Sequence, residues 1–308
     1  MESSLALPEL LPASGTPSCL FELATAARAR QRPRWYHHWQ EAGRRWVSFA
    51  RLPSGYLLRF PGLADFEVSR DGSHISVRPR RQMPPETLRH LLLDQVWPLA
   101  LSGAGRFVIH ASGVVLPDGR AVAFAGTAGA GKSSLAAAMA AAGCRLVSDD
   151  CLLLERTGSD WLAVPSYPGL RLWPDMLAGL EADEEGTSEV AHYTSKKRLA
   201  RGALPFSVDA APLAAVYIVR PLPAGAPTKI ARLTGGTPVM ELVPSTYLLD
   251  CEDRVQLERS FAHLAALTTM VPIRQLDLPH ALDRLGTIAR SLMGSPPSGD
   301  GGATARMA

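Results

Sequence analysis

Ala121-Val-Ala-Phe-Ala125, then Gly126-Thr-Ala-Gly-Ala-Gly131-Lys132-Ser133-Ser134, then an alanine-rich run to Gly143 and Arg145-Leu-Val-Ser-Asp149-Asp150: this stretch decides the fold. Its glycine segment (Gly126, Thr127, Ala128, Gly129, Ala130, Gly131, Lys132, Ser133, Ser134) fits G-x-x-x-x-G-K-[ST] at each fixed position. An apolar run precedes it and a strong helix former follows. Glycines at 126, 129 and 131 admit the left-handed, tightly turned backbone that aims successive N–H groups at an anion. A helix opening near Lys132 adds the positive end of its dipole there. Lys132 offers a mobile positive charge to the β- and γ-phosphates of a nucleotide such as ATP, and the Ser133 hydroxyl is placed to ligate Mg2+. The expectation is a phosphate-binding loop.

Working outward, Leu135, Ala138, Met139 and Ala142 recur at helical spacing, which predicts a short helix packed on a sheet, with Gly143 as its stop. Leu146-Val147 reads as the next strand and delivers Asp149-Asp150 beside the loop. One carboxylate there can hold Mg2+ while the other takes a proton from an attacking hydroxyl. A solvated turn is the other reading of the pair.

His110-Ala111-Ser112-Gly113, the loop, and Gly143-Cys-Arg-Leu-Val-Ser-Asp149-Asp150 stand in the order and spacing of the HPr kinase/phosphorylase catalytic domain. The chain most resembles the divergent HPr-kinase-like proteins, some of which phosphorylate ribosomal (lasso) peptide precursors. That resemblance implies an α/β fold of the HPr kinase/phosphoenolpyruvate carboxykinase type, ATP and Mg2+ as cofactors, and transfer of a phosphoryl group to a serine hydroxyl. It implies Asp150 as general base, Asp149 with Ser133 on the metal, and His110 close by. The first hundred residues do not resemble the N-terminal domain of true HPr kinases. Gly169-Leu170-Arg171 stands where their arginine-glycine signature would fall. Both departures weigh against HPr itself as the substrate.

The 308 residues are 46% hydrophobic, enough for a sizeable core, and the net charge of +3 does not point to nucleic acid. Four cysteines without CxxC or metal spacing suit a reducing cytoplasm. Neither a signal peptide nor an apolar run of membrane-spanning length is legible. Residues 1–20 read as a flexible lead-in. Arg28-Ala-Arg-Gln-Arg32-Pro-Arg34-Trp35-Tyr36-His37-His38-Trp39 interleaves cations with aromatics, read either as a basic, partly buried segment or as a nucleic-acid contact. Four short strands follow (Trp46–Phe49, Tyr56–Phe60, Phe66–Val68, His74–Val77), with Arg70-Asp71-Gly72 a hairpin turn. A helix from Pro84 carries Leu88, Leu91, Leu92 and Val96 on one face and bends or ends at Pro98. Residues 21–100 thus form a small antiparallel β-rich domain.

The kinase-like domain is expected over 101–293, beginning with a strand Arg106–His110. His110 is either a packing residue or part of the site. Arg171 is either a phosphate contact or a surface arginine. Glu181-Ala-Asp-Glu-Glu185 reads as an acidic turn. In Ser195-Lys196-Lys197-Arg198, Lys197 and Arg198 are candidates to offset charge on the transferred group, or else belong to a solvated basic face. Leu213–Val219 predicts a buried strand, Glu252–Met270 a helix with apolar periodicity in Val255, Leu257, Phe261, Leu264 and Leu267, Val271–Leu278 a strand and Ala281–Met293 a last helix. Residues 294–308 read as a disordered tail.

The function expected is an ATP-dependent serine kinase acting on a peptide or small protein, without nucleic-acid or membrane partners, and open to self-association. A kinase for a small hydroxylated metabolite, an HPr-type regulatory kinase and a nucleotide-dependent binding module are the alternatives.

Overall fold

A computed structural model of the chain describes all residues but 13, 25–32, 42, 81, 181–185, 200–201, 295–304 and 307–308. Arg28, Arg30 and Arg32, the acidic run from Glu181 to Glu185, and most of the expected tail lie outside the described residues. The chain divides into two units: Met1–Arg106 with Ala191–Tyr193 and Tyr247–Ser260, and the remainder.

The first unit is a seven-stranded sheet. Its strands are β1 (Glu2–Ser3), β2 (Leu20–Leu23), β3 (Arg34–Glu41), β4 (Arg44–Leu52), β5 (Gly55–Phe60), β6 (Ala64–Ser69) and β7 (His74–Pro79), in the order β1-β2-β7-β6-β5-β4-β3. β3 to β7 form an antiparallel meander, whereas β1 and β2 add in parallel. Residues 1–20 are therefore not a loose lead-in throughout: Glu2–Ser3 pairs with β2, and Glu9 accepts from Arg89 Nε at 2.7 Å. The basic, aromatic segment supplies β3, an edge strand whose Trp35 and Trp39 stay exposed.

Helix α1 (Pro85–His90), a π-helical turn (Leu91–Val96) and α2 (Trp97–Gly103) follow directly on one another. Of the two outcomes expected at Pro98, a bend or an end, the helix does not end there. Proline offers no N–H and its ring crowds the carbonyl four residues back; the wider π turn just before it relieves that clash, and the helix runs on to Gly103. Leu88, Leu91, Leu92, Val96 and Ala100 close over Phe21, Phe60, Phe66 and Ile75. Each of the leucine, valine, isoleucine and phenylalanine side chains contributes about 1.5–3 kcal/mol on burial. The unit is not contiguous in sequence, contrary to the expected 21–100 domain. Leu249 completes its core, and buried Asp250 accepts from Arg51 Nε and Nη2 at 2.6 and 2.7 Å.

The second unit is mixed α/β. Its elements are β8 (Phe107–Ile109), β9 (Ala111–Val115), β10 (Ala121–Ala125), α3 (Lys132–Ala141), β11 (Arg145–Ser148), β12 (Leu152–Thr157), β13 (Asp160–Val164), β14 (Leu170–Leu172), α4 (Pro174–Gly179), β15 (Thr187–Glu189), β16 (Lys197–Leu199), β17 (Ala211–Leu222), β18 (Lys229–Arg232), α5 (Thr237–Leu242), α6 (Arg254–Met270, whose first residues count with the first unit), β19 (Ile273–Pro279), α7 (Leu282–Gly294) and β20 (Ala305–Arg306). The large sheet runs β11-β9-β10-β17-β13-β12-β8, with β19 beside β17, β18 beside β19 and β20 beside β18. β10, β17 and β19 are parallel neighbours. β10 is apolar throughout because both of its faces are covered: Val122 and Phe124 meet α3 and α7 residues, while Ala121, Ala123 and Ala125 face the cluster containing Leu264 and Leu267 of α6.

Two expectations need correction. The strand expected from Arg106 to His110 ends at Ile109, and His110 marks the break at which the chain changes partner from β12 to β10. On α6, Val255, Leu257 and Phe261 are exposed at 61%, 43% and 57%. Buried Gln256 sets that face instead, donating to Tyr56 Oη at 3.1 Å and accepting from Asp250 N at 3.2 Å. Among the described residues no helix is long and apolar enough to cross a membrane.

Candidate functional site

The site lies in the second unit, where β10 ends. Gly126 takes φ 138° and a Cβ there would meet Val219 O at 2.7 Å. The loop therefore lies against β17 as only glycine allows. Thr127, Ala128 and Gly129 are exposed at the loop's tip, Ala130 is buried, and Gly131 (φ 97°) caps α3. The first-turn N–H groups of that helix, including those of Lys132, Ser133 and Ser134, have no acceptor one turn back. Lys132 is 5% exposed, and its ammonium donates to Gly126 O and Thr127 O, both at 3.0 Å. Burial lowers its pKa, against the pull of Asp150 and Asp149.

β11 brings the two aspartates to the same place, in different surroundings. Asp149 is 3% exposed; its Oδ1 accepts from Ser133 Oγ and from Ser112 Oγ, both at 2.8 Å, and its Oδ2 from Arg171 N at 3.0 Å. Asp150 sits in the left-handed region (φ 62°), with Oδ2 2.5 Å from Arg171 Nη2 and Oδ1 3.3 Å from His110 Nε2. Burial opposes its charge, but the Arg171 guanidinium and the His110 contact outweigh that and hold the carboxyl well below the usual carboxylate range. Arg171, itself 4% exposed, thus spans both carboxylates from β14.

Other expected residues are placed elsewhere. Lys197 pairs with Glu189, away from the aspartates, and Arg198 is buried with its guanidinium 5.3 Å from the centre of the Tyr167 ring. Lys196, like Arg171, adds positive charge near Asp150 and Lys132. Ser112, with no assigned role in the sequence reading, is a hydrogen-bond partner of Asp149. Its only signal was its neighbourhood to His110.

Among the described residues no three His, Cys, Asp or Glu side chains gather into a metal cage. Mg2+ does not require one: it is commonly held by one or two protein oxygens together with substrate phosphates, and Ser133 Oγ beside Asp149 Oδ1 is a donor set of that kind.

No family model matches the chain, and no curated protein matches it. Among solved structures, the HPr(Ser) kinase/phosphatase from Coxiella burnetii aligns with it at 16% identity and a TM-score of 0.31, over 61% of this chain and 93% of that one.

Proposed function

We propose that the chain is an Mg-ATP-dependent kinase that transfers a phosphoryl group to a serine hydroxyl of a peptide or small protein. The observation that carries this reading is the junction of the glycine loop with the aspartate pair: Ser133, in the first turn of α3, hydrogen-bonds Asp149, and Asp150 follows in contact with Arg171 and His110. The Gly126–Ser134 loop holds the nucleotide phosphates by its N–H groups, and Lys132 grips the β- and γ-phosphates. Ser133 and Asp149 would hold Mg2+, which would supply positive charge to offset that of the phosphates. Asp150 receives the proton of the serine hydroxyl, whose oxygen bonds to the γ-phosphorus as the bond to ADP breaks.

While Arg171 is bound to it, Asp150 is ionised but weakly basic. In a loose transfer the hydroxyl gives up its proton only as its oxygen bonds to phosphorus, where a weak base suffices. The resemblance of the His110, loop and aspartate motifs supports a peptide acceptor, with the C-terminal serine of a lasso-peptide precursor as the specific case. Incubation with Mg-ATP and serine-ended peptides, followed by mass spectrometry, tests this. Transfer should be lost with a Ser→Ala peptide, abolished by Lys132→Ala, and reduced about 10²-fold or more by Asp150→Asn with nucleotide still bound. Equal turnover by the parent and Asp150→Asn would place the chemistry elsewhere.

A further inference from the structure

We propose that Lys196 is a catalytic cation beside the phosphoryl group during transfer, and that Trp173 is the positioning residue that holds it there. The inference rests on the kinase reading above and adds to it a residue and a role.

The argument starts from the register of a small sheet. β14 and β16 are antiparallel, with Arg171 opposite Arg198 and Leu172 opposite Lys197. Opposed side chains share a face, and faces alternate along each strand. Leu170, Leu172 and Leu199 turn to the core cluster that contains α3 residues, and Lys197 follows that side. Arg171 turns the other way and reaches the aspartates. One step further along the same register, Trp173 and Lys196 come opposite each other, and the Lys196 ammonium lies 5.2 Å from the centre of the Trp173 ring. Lys196 N donates to Thr194 Oγ1 at 3.2 Å, which steadies the segment.

The cations around the aspartates differ in what already holds their charge. Lys132 is bound by loop carbonyls, Arg171 by two carboxylates, and Arg198 is buried against Tyr167. Lys196 is half-buried and rests on an aromatic face, which orients an ammonium without supplying a counter-charge. Among the described residues no carboxylate lies within ion-pair distance of it. By that register it lies on the same face as Arg171, the face turned to the aspartates, where a group passing from nucleotide to acceptor must arrive. A phosphoryl group in flight spreads charge over its equatorial oxygens, and a preplaced cation without a carboxylate partner stabilises that charge most. The same contact accounts for a tryptophan left 48% exposed at the end of β14.

The test uses the full chain with Lys196→Ala, Lys196→Met (which keeps the apolar stem), Trp173→Phe and Trp173→Ala. Calorimetry measures Mg-ADP alone and Mg-ADP with aluminium fluoride, a mimic of the transferring group that needs no acceptor. Both Lys196 variants should bind Mg-ADP within about threefold of the parent, bind the fluoride complex far more weakly, and lose about 10²–10³-fold in kcat. Trp173→Phe should retain most turnover, and Trp173→Ala should lose about tenfold in kcat without loss of Mg-ADP affinity. Parental kcat and fluoride-complex affinity in both Lys196 variants, while Asp150→Asn is impaired, would overturn this inference and leave the kinase reading standing. A parent chain that binds no Mg-ADP would overturn both.

Discussion

Gly126 turns the chain at φ 138° against the backbone oxygen of Val219, which belongs to a central strand and cannot give way. Gly126→Ala should therefore cost about 1–3 kcal/mol of stability, seen as a lower urea midpoint. Gly129→Ala should cost less, since at φ 78° it meets nothing within 4 Å. Asp150 adds a pH dependence. Its folded pKa lies below the ordinary 3.8, so its contribution is fully present above that value and is lost as pH falls through the folded one. Asp150→Asn should then be less stable than the parent at pH 7, with the gap closing only under strong acid; a gap unchanged down to pH 2 would contradict the pairing with Arg171. Asparagine tolerates the left-handed backbone, so strain does not confound the comparison. The sequence placed the aspartates beside the loop, because one helix and one strand span similar distances. It left Arg171 at even odds, because an arginine two residues after a glycine says nothing about which strand register aims it at a carboxylate.

α3 lies close on the sheet because its buried face is alanine: Ala136 and Ala137 are fully covered. Ala137→Leu adds volume where none is free and should cost about 1–3 kcal/mol in chemical denaturation. Strand, loop and helix were legible here since glycine punctuation, an apolar run and alanine propensity agree. β3 was not, as an exposed edge shows no alternation of apolar residues and its register shifts twice, at Trp35/His37 and Trp39/Gln40. β13 was also missed: Asp160–Val164 is a short strand after a tight turn, and five residues give little periodicity. The face of α6 was misread for a chemical reason. Counting apolar residues cannot foresee a glutamine buried to satisfy a tyrosine hydroxyl and a backbone N–H.

At the scale of the molecule, composition gave the size of the core but not the division of the chain, since Leu249 and Asp250 carry no mark of the unit they complete. Asp250→Ala should cost about 2–3 kcal/mol, less than a fully buried pair would, because Arg51 keeps 36% of its side chain exposed. A fragment ending at Arg106 lacks Leu249, Asp250 and Gln256 and should show weak near-ultraviolet dichroism and rapid amide exchange. A fragment with native-like signals would mean that the distant segment is dispensable. The split arrangement also sets an order in time. On the ribosome the first seven strands emerge early, yet the residues that finish their core come after the loop and both aspartates. At about 5–20 residues per second, that wait is on the order of ten seconds. During it the nascent sheet stands with an uncovered apolar gap, a natural point of call for a chaperone.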